Sequence, residues 1–149
     1  MSERKLGVAI VGCGFMGRRH LLGFAALHKA GVLKGEVVAL LDINKEVADK
    51  VADEAFELLG KRPAVYTSLD EMMKDPAVEA IDIVTDPRTH HTIAVQAMEA
   101  GRHVLCEKPL SLTIKTGQIM LDAAKRTGMT LATAENYRRG GANRVARAV

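Results

Sequence analysis

The sequence predicts a doubly wound α/β fold, in which helices cover both faces of a parallel sheet of about six strands. Short apolar runs alternate with segments of helical periodicity along the whole 149-residue chain. The first apolar run ends in three closely spaced glycines, Gly12, Gly14 and Gly17, and a helical pattern follows them. Alternating strands and helices favour a parallel sheet, because each parallel strand is reached through a crossover that is usually a helix.

The predicted strands are short apolar runs bounded by glycine, proline or polar residues. They cover residues 6–11, 36–42, 65–67, 81–85, 103–107 and 130–134. Helices are predicted between them at 16–29, 69–74, 91–100 and 114–126. The clearest helix begins at its cap, Asn44, and ends at Gly60. Pro87 and Pro109 lack a backbone donor, so we expect them to end the fourth and fifth strands.

The composition is typical of a globular protein with one packed domain. Hydrophobic residues make up 48% and charged residues 26% of the chain, which excludes a disordered chain, a collagen-like repeat and a coiled coil. No apolar run reaches the roughly 18 residues of a membrane span. The polar residues 1–5 do not have the pattern of a signal peptide. We therefore expect a cytoplasmic protein without a membrane partner.

The net charge of +3 comes from the C-terminal end of the chain. Four arginines and no acidic residue follow Asn136: Arg138, Arg139, Arg144 and Arg147. A nucleic-acid-binding domain needs a broader basic face and aromatic stacking groups. Because the chain has three Phe, two Tyr and no Trp, nucleic acid is not predicted as a partner.

Cys13 and Cys106 are the only cysteines, and they are expected to be small, buried packing residues. They follow the first strand and end the fifth, and the usual strand order places the fourth strand between them. The resulting separation of roughly 9–10 Å exceeds the Cα distance that a disulfide bridges. Reduced thiols agree with the cytoplasmic expectation.

The three glycines form a GxGxxG pattern between a strand and a helix, which is the context of a dinucleotide-binding turn. Gly12 permits the sharp turn, Gly14 lets the backbone approach a pyrophosphate, and Gly17 lets the helix pack closely on the strand. The N-terminus of the helix then offers free N–H groups to the phosphates. The alternative is a glycine turn that holds no ligand.

Asp42 ends the second strand, where an acid of this fold binds the hydroxyls of the adenosine ribose. A carboxylate there repels a 2′-phosphate, so NAD is favoured over NADP. NADP stays possible, because Lys45 lies close by and could reach a phosphate. The alternative role of Asp42 is to help cap the helix that begins near Asn44.

Lys108 follows the fifth strand, at the sheet edge where such folds bind ligands. It is expected near the nicotinamide, where a lysine can bind a substrate hydroxyl or assist a proton transfer. The alternative is a solvated loop lysine. His90 and His91 are adjacent and point in different directions on a helix, with no Cys or acid cluster to complete a tetrahedral set. No metal site is predicted.

Several runs of the sequence together resemble one family. The runs AIVGCGFMGRRH, EAGRHVLCEKPL and AENYRR, with Asp42 and the spacing from Pro87 to His91, resemble the N-terminal domain of the Gfo/Idh/MocA oxidoreductases. The resemblance covers nearly the whole chain, and the run AGxHVLCEKP is its most specific part. It implies a Rossmann-type NAD(P)-binding domain over residues 1–137. Residues 138–149 then begin a crossover to a second α/β domain that is absent from this chain.

The resemblance also implies roles for single residues. The pyrophosphate would lie on the glycine turn and on the backbone of Phe15 and Met16, and the ribose on Asp42. His91 would bind the cofactor near its nicotinamide side, and Glu107 near the cofactor ribose. Asn136, which with Arg138 begins the crossover to the second domain, is also assigned to the cofactor site, and Lys108 would lie near the substrate and take part in catalysis. The family often has Thr-Pro-Asn where this chain has Asp86, Pro87 and Arg88, so no cofactor contact is assigned to those side chains.

The implied function is that of an NAD(P)-dependent dehydrogenase acting on a hydroxyl-bearing carbon of a sugar, a polyol or a similar small molecule. The family's second domain binds the substrate and forms the homo-oligomer. We therefore expect this chain to be a truncated member that is inactive by itself. Two alternatives stay open: a dinucleotide-binding module without catalysis, and a relative that uses NAD to cleave glycosides.

Overall fold

The computed structural model describes residues 4–148 as a six-stranded parallel sheet with helices on both faces. The strands are β1 (Leu6–Val11), β2 (Gly35–Leu41), β3 (Ala64–Tyr66), β4 (Ala80–Ile83), β5 (His103–Cys106) and β6 (Leu131–Thr133). The helices are α1 (Phe15–Lys29), α2 (Lys45–Leu59), α3 (Leu69–Met72), α4 (Pro87–Glu99), α5 (Ile114–Thr127) and α6 (Gly141–Ala148). A short 3₁₀ helix, Tyr137–Arg139, precedes α6.

The strand order is β3-β2-β1-β4-β5-β6, and every neighbouring pair is parallel. The chain moves outward in one direction from β1 and in the other from β4, so the order reverses between these two strands. In such sheets, ligands bind at the carboxyl ends of the strands beside that reversal. The predicted doubly wound fold is confirmed.

Two apolar clusters, one on each face of the sheet, hold the layers together. On one face Ile10 and Leu40 pack with Leu21 of α1 and with the alanines of α2. On the other face lie Val11, Leu41 and residues of α3, α4 and α5. Neighbouring residues of β1 therefore serve opposite layers, because side chains alternate along a strand.

The second helix follows its sequence signals closely. The Asn44 side-chain oxygen accepts hydrogen bonds from the N–H groups of Glu46 at 3.0 Å and Val47 at 3.4 Å. Gly60 ends the helix with a φ of 79°, a conformation that glycine adopts without steric cost. Both predicted ends of α2 are confirmed.

The prediction for Pro87 was wrong. Strand β4 ends at Ile83, and Pro87 instead occupies the first turn of α4, which begins four residues earlier than the predicted residue 91. The Asp86 carboxylate caps this helix by accepting the Arg88 N–H at 2.9 Å. Proline suits the first turn because its missing N–H would have no partner in the helix.

No helix within residues 4–148 is long and apolar enough to cross a membrane.

Candidate cofactor-binding site

The glycine turn between β1 and α1 needs two of its glycines for reasons internal to the protein. Gly12 has a φ of +101°, and a Cβ added there would lie 2.9 Å from the carbonyl oxygen of Val84. A Cβ at Gly17 would overlap the carbonyl oxygen of Gly12. Gly12 is therefore required by its positive φ and by the Val84 backbone after β4, and Gly17 by the close approach of α1 to the turn.

Gly14 differs from the other two glycines. Its φ of −70° is open to any residue, and a Cβ built there meets no described atom within 4 Å. Neither backbone conformation nor packing within residues 4–148 requires a glycine at this position. The space beside it is the kind of close backbone approach that a pyrophosphate needs.

Gly14 is also the N-cap residue of α1. Among the described residues, no side chain bonds to the N–H groups of the first turn. No acidic residue lies in that turn. The partial positive charge of the helix N-terminus is therefore uncompensated and open to an anion.

The Asp42 carboxylate follows β2 directly and is held by two backbone donors. Its Oδ2 accepts the Cys13 N–H at 2.8 Å, and its Oδ1 accepts the Asn44 N–H at 2.9 Å. The side chain that caps α2 is Asn44, and Asp42 supports this cap by binding the Asn44 N–H. Asp42 therefore serves the start of α2, its alternative role, as well as the glycine turn. Each carboxylate oxygen keeps a second lone pair for a hydroxyl donor.

A cavity of about 420 Å³ opens between the glycine turn and Asp42. Its lining includes Gly12, Gly14, Asp42, Ile43, Thr85 and Asp86. Arg88 binds Asp86 through two nitrogens at 2.8 and 2.9 Å. These bonds lower the pKa of the Asp86 carboxyl to about 2. This cavity therefore carries two acidic side chains at its edge.

A second cavity, of about 370 Å³, lies against the first turns of α1 and the ends of β5 and β6. Its lining includes Met16, Arg19, His20, Leu105, Glu107 and Asn136. Because β1 and β4 stand between β2 and β5, Asp42 and Glu107 flank the glycine turn on opposite sides. A dinucleotide with its pyrophosphate at the turn would reach both cavities.

Glu107 belongs to a cluster of three side chains that the sequence analysis missed. His20 Nδ1 lies 2.7 Å from Asp82 Oδ2, and His20 Nε2 lies 3.2 Å from Glu107 Oε1. The hydrogen bond with Asp82 is the main reason that the His20 pKa is raised. One sequence signal was available: Asp82 interrupts an apolar strand, and a buried acid requires a partner.

Lys108 is exposed, and its ammonium forms no ion pair within the described residues. Its backbone N–H donates to Glu107 Oε2 at 2.7 Å. The peptide bond between Lys108 and Pro109 is cis. The lysine therefore stands at the carboxyl end of β5 beside the second cavity, with its charge free to meet a ligand.

Of the two adjacent histidines, His90 connects the loop after β4 with the loop after β5. It is buried, with Nδ1 3.0 Å from the Pro109 carbonyl oxygen and Nε2 3.1 Å from that of Thr85. The His91 ring instead meets the Thr92 hydroxyl at 3.4 Å, and His91 is not among the described residues that line either cavity. The structure thus brings His90, rather than His91, to the loops after β4 and β5.

The other expected site residues surround the start of α1. Phe15 is 76% exposed, and the Arg19 guanidinium lies 5.8 Å from its ring centre. Met16 and Asn136 line the second cavity. Cys13 and Cys106 are free and buried, as expected for packing residues. No group of three His, Cys, Asp or Glu side chains within residues 4–148 is arranged to hold a metal ion.

The sequence profile of the Gfo/Idh/MocA oxidoreductases, a family described by its NAD-binding Rossmann fold, matches residues 6–135. The chain belongs to this family. The resemblance seen in its motifs is therefore confirmed, and the glycine turn and Asp42 lie in an NAD-binding Rossmann domain.

Proteins similar to this chain have different named activities. The chain is 32% identical over 136 residues to levoglucosan dehydrogenase from Pseudarthrobacter phenanthrenivorans, covering 91% of this chain and 34% of that protein. It is 30% identical to an alpha-N-acetylgalactosaminidase from Shewanella oneidensis, covering 89% of this chain and 29% of that protein.

Among solved structures, GenD2 from gentamicin A biosynthesis, in complex with NAD, is 33% identical with a TM-score of 0.79. The match covers 93% of this chain and 36% of GenD2. The chain thus spans about a third of the length of each of these three proteins.

Proposed function

We propose that this chain is the cofactor-binding domain of an NAD(P)-dependent oxidoreductase that acts on a hydroxyl-bearing carbon of a sugar, a polyol or a similar small molecule. Family membership supports the oxidoreductase class. The levoglucosan dehydrogenase, at 32% identity, supports the sugar-like substrate. The substrate-binding part of such an enzyme would lie outside the matched region.

The observation that carries the proposal is the open space at Gly14. Protein packing requires glycine at Gly12 and Gly17, whereas the Gly14 side of the turn faces space that a Cβ would partly fill. That space adjoins the uncapped N-terminus of α1. Backbone N–H groups of Phe15 and Met16 would donate to the pyrophosphate there.

We propose that NAD is preferred over NADP. Asp42 lines the cavity on the β2 side of the turn, where the adenosine ribose would bind. Asp86 also lines it but is paired with Arg88, so the preference rests on the charge of Asp42. The hydroxyls of an unmodified ribose can donate to the Asp42 oxygens, whereas a 2′-phosphate would meet negative charge. Lys45 is engaged with Asp49 at 2.5 Å, which weakens it as a phosphate partner.

On the β5 side, we assign Glu107 and Asn136 to the nicotinamide half of the cofactor, because both line the second cavity. His91 keeps this assignment only from the family resemblance, since the geometry favours His90 as the histidine that orders the neighbouring loops. When bound, the nicotinamide supplies the carbon that accepts or donates hydride.

Lys108 is the group that we assign to the chemistry. Oxidation of a carbinol breaks its C–H and O–H bonds, so the hydroxyl proton must leave as the hydride is transferred. An ammonium beside the substrate oxygen stabilises the negative charge that develops there and can relay the proton. The exposed position of Lys108, with no ion pair among residues 4–148, suits this role.

The second candidate function is NAD-dependent glycoside cleavage. The similarity to the alpha-N-acetylgalactosaminidase favours it, and its cofactor site would use the same residues of this domain. Release of free sugar from a glycoside, without net formation of NADH, would distinguish this activity from that of a dehydrogenase.

The proposal is tested by calorimetric titration of the chain with NAD and, separately, with NADP. We expect the unmodified chain to bind NAD more tightly. The variant Gly14→Ala should lose at least about tenfold in NAD affinity, because a methyl group enters the space of the pyrophosphate. Gly23→Ala is the matched control, since Gly23 also has nothing within 4 Å but lies further along α1.

A folded chain that binds neither dinucleotide would contradict the proposal. Equal NAD affinity in Gly14→Ala and Gly23→Ala would show that the cofactor does not approach the turn at Gly14. Tighter binding of NADP would overturn the assigned preference alone and leave the cofactor-binding role in place.

A further inference from the structure

His20, Asp82 and Glu107 come from three separate elements and meet beside the second cavity. His20 lies on α1, Asp82 on β4, and Glu107 directly after β5. The imidazole stands between the two carboxylates, 2.7 Å from Asp82 and 3.2 Å from Glu107. Helix α1, the central strand β4 and the turn that carries Lys108 are therefore joined through one histidine ring.

Asp82 anchors this cluster from inside the protein. The residue is 1% exposed, and its Oδ1 has no hydrogen-bond partner among residues 4–148. The contact with His20 is thus its side-chain hydrogen bond in the described structure. A buried carboxylate without a partner is costly, so Asp82 holds the imidazole firmly in this orientation.

The proton count of the ring follows from its two neighbours. Both ring nitrogens face carboxylate oxygens, and an ionised carboxylate only accepts hydrogen bonds. A neutral imidazole has a single N–H, so both contacts are satisfied together only by the imidazolium. The hydrogen bond to Asp82 raises the pKa of His20, partial burial of the ring lowers it, and Glu107 raises it further.

Glu107 is the outer end of the cluster. One carboxylate oxygen contacts His20, and the other accepts the Lys108 N–H at 2.7 Å. Other charged groups near the ring are Arg19 and Glu135, which line the same cavity. Burial, with smaller contributions from the Asp82 and Glu107 carboxylates, raises the pKa of the Cys106 thiol to about 12, so the thiol stays neutral. The imidazole is the titrating group that directly contacts Glu107.

We propose that His20 is a positioning residue: as an imidazolium it holds the Glu107 carboxylate beside the nicotinamide half of the cofactor, and loss of its proton releases that carboxylate. A neutral imidazole keeps one N–H, and the shorter, buried contact with Asp82 at 2.7 Å retains it. The hydrogen bond with Glu107 at 3.2 Å is therefore the one that is lost. This inference rests on the proposed function, because it assigns the second cavity to the nicotinamide half of a dinucleotide.

Deprotonation of His20 should affect only the contacts with the nicotinamide half of the cofactor. Asp42 lies at the end of β2 and Glu107 at the end of β5, with β1 and β4 between those strands. Deprotonation of His20 therefore weakens binding of NAD and leaves binding of ADP, which lacks the second ribose and the nicotinamide, unchanged.

The test measures the affinities of NAD and ADP from about pH 6 to pH 9 for the unmodified chain, His20→Gln and His28→Gln. His28 is an exposed histidine on the same helix and serves as the control. We expect NAD affinity to fall about three- to tenfold with rising pH, the net effect of losing one typical hydrogen bond, in the unmodified chain and in His28→Gln. His20→Gln should show the weaker affinity at every pH, and ADP affinity should be the same in all three.

A second measurement stands apart from cofactor binding and from the folding of the His20 variant. The His20 ring is titrated by NMR in the unmodified chain and in Glu107→Gln. Glutamine has the size of glutamate and keeps an amide oxygen that can accept the Lys108 N–H, so this variant preserves the local packing. We expect the substitution to lower the His20 pKa, because it removes the charge of one neighbouring carboxylate.

The outcomes separate the two proposals. If NAD binds but His20→Gln keeps the affinity and the pH profile of the unmodified chain, the positioning role is wrong and the proposed function stands. If neither NAD nor ADP binds, the proposed function is wrong, and the positioning role fails with it. An unchanged His20 titration in Glu107→Gln overturns the coupling of the two residues in either case.

Discussion

The carboxylate of Asp42 accepts a hydrogen bond from the backbone N–H of Cys13, with an oxygen–nitrogen distance of 2.8 Å. The contact joins the end of β2 to the glycine turn after β1. A single acid thus orients the turn that would receive the pyrophosphate and lines the cavity where the ribose would bind. The same carboxylate therefore holds the shape of the turn and would meet the ribose in the proposed complex.

Substitution Asp42→Asn should change the cofactor preference. The amide keeps one oxygen for the backbone donors but removes the charge that opposes a 2′-phosphate. At roughly 5 Å in water that repulsion is about 1–2 kcal/mol, or about tenfold in affinity. We expect the ratio of NADP to NAD affinity to rise by about this factor in calorimetric titration. Asp122→Asn, on the exposed side of α5, should leave the ratio unchanged, and an unchanged ratio in Asp42→Asn would contradict the assignment.

Substitution Gly17→Ala should destabilise the fold itself. The added methyl group overlaps the Gly12 carbonyl oxygen, so α1 must move away from β1. Overpacking of this kind costs about 1–3 kcal/mol, measured as the change in the free energy of urea unfolding. Gly23→Ala lies on the same helix with open space around it and should not destabilise. A Gly17→Ala chain as stable as the unmodified one would show that the helix packs less closely than described.

The contribution of His20 to stability should depend on pH. Its folded-state pKa is raised above the unfolded value of 6.5, chiefly by the hydrogen bond to Asp82. The folded state therefore binds this proton more tightly than the unfolded state. The resulting stabilisation is fully present below the unfolded pKa and is lost as pH rises through the folded pKa.

Urea unfolding of the unmodified chain and of His20→Gln, measured from below pH 6.5 to above the folded-state pKa of His20, gives that contribution. The difference in unfolding free energy between the two should shrink as pH rises. His28→Gln, measured in the same way, is the control for replacing a histidine elsewhere on α1. If the difference in unfolding free energy between the unmodified chain and His20→Gln grew with rising pH, His20 would be more stabilising when neutral. That result would contradict an imidazolium paired with Asp82 and Glu107.

Both cysteines should resist alkylation in the folded protein. Burial is the main cause that raises the pKa of the Cys13 and Cys106 thiols to about 12, and the thiolate is the reactive form. We expect iodoacetamide at mildly alkaline pH to modify neither thiol on the timescale that labels both in urea, as counted by mass spectrometry. Fast labelling of a native thiol would show that its strand end opens readily.

Local signals predicted those elements whose ends depend on neighbouring residues. Asn44 and Gly60 bound α2 as expected, because a cap and a left-handed glycine act within one helical turn. Pro87 was misassigned, since proline is compatible both with a strand end and with the first turn of a helix. Only the cap that Asp86 provides for α4 decides between these roles.

The parts of the site that depend on neighbouring residues were also predicted, whereas its long-range contacts were not. Gly12, Gly14, Gly17 and Asp42 are recognisable because their spacing reflects one strand, one turn and one helix. His20 and Asp82 are 62 positions apart, and no local pattern links them. The family resemblance assigns a cofactor role to His91, and only the tertiary contacts with the Pro109 and Thr85 carbonyl oxygens distinguish its neighbour His90.

By itself, the sequence determined the α/β class, the glycine turn, the acid after the second strand and the family. Each of these follows from periodicity or from short spacings that backbone geometry imposes. Only the tertiary structure decided which distant side chains share a cavity, and therefore that one histidine stands between a buried carboxylate and the carboxylate beside Lys108. The physical reason is that strand order and helix packing, which no short segment contains, bring those side chains within hydrogen-bonding distance.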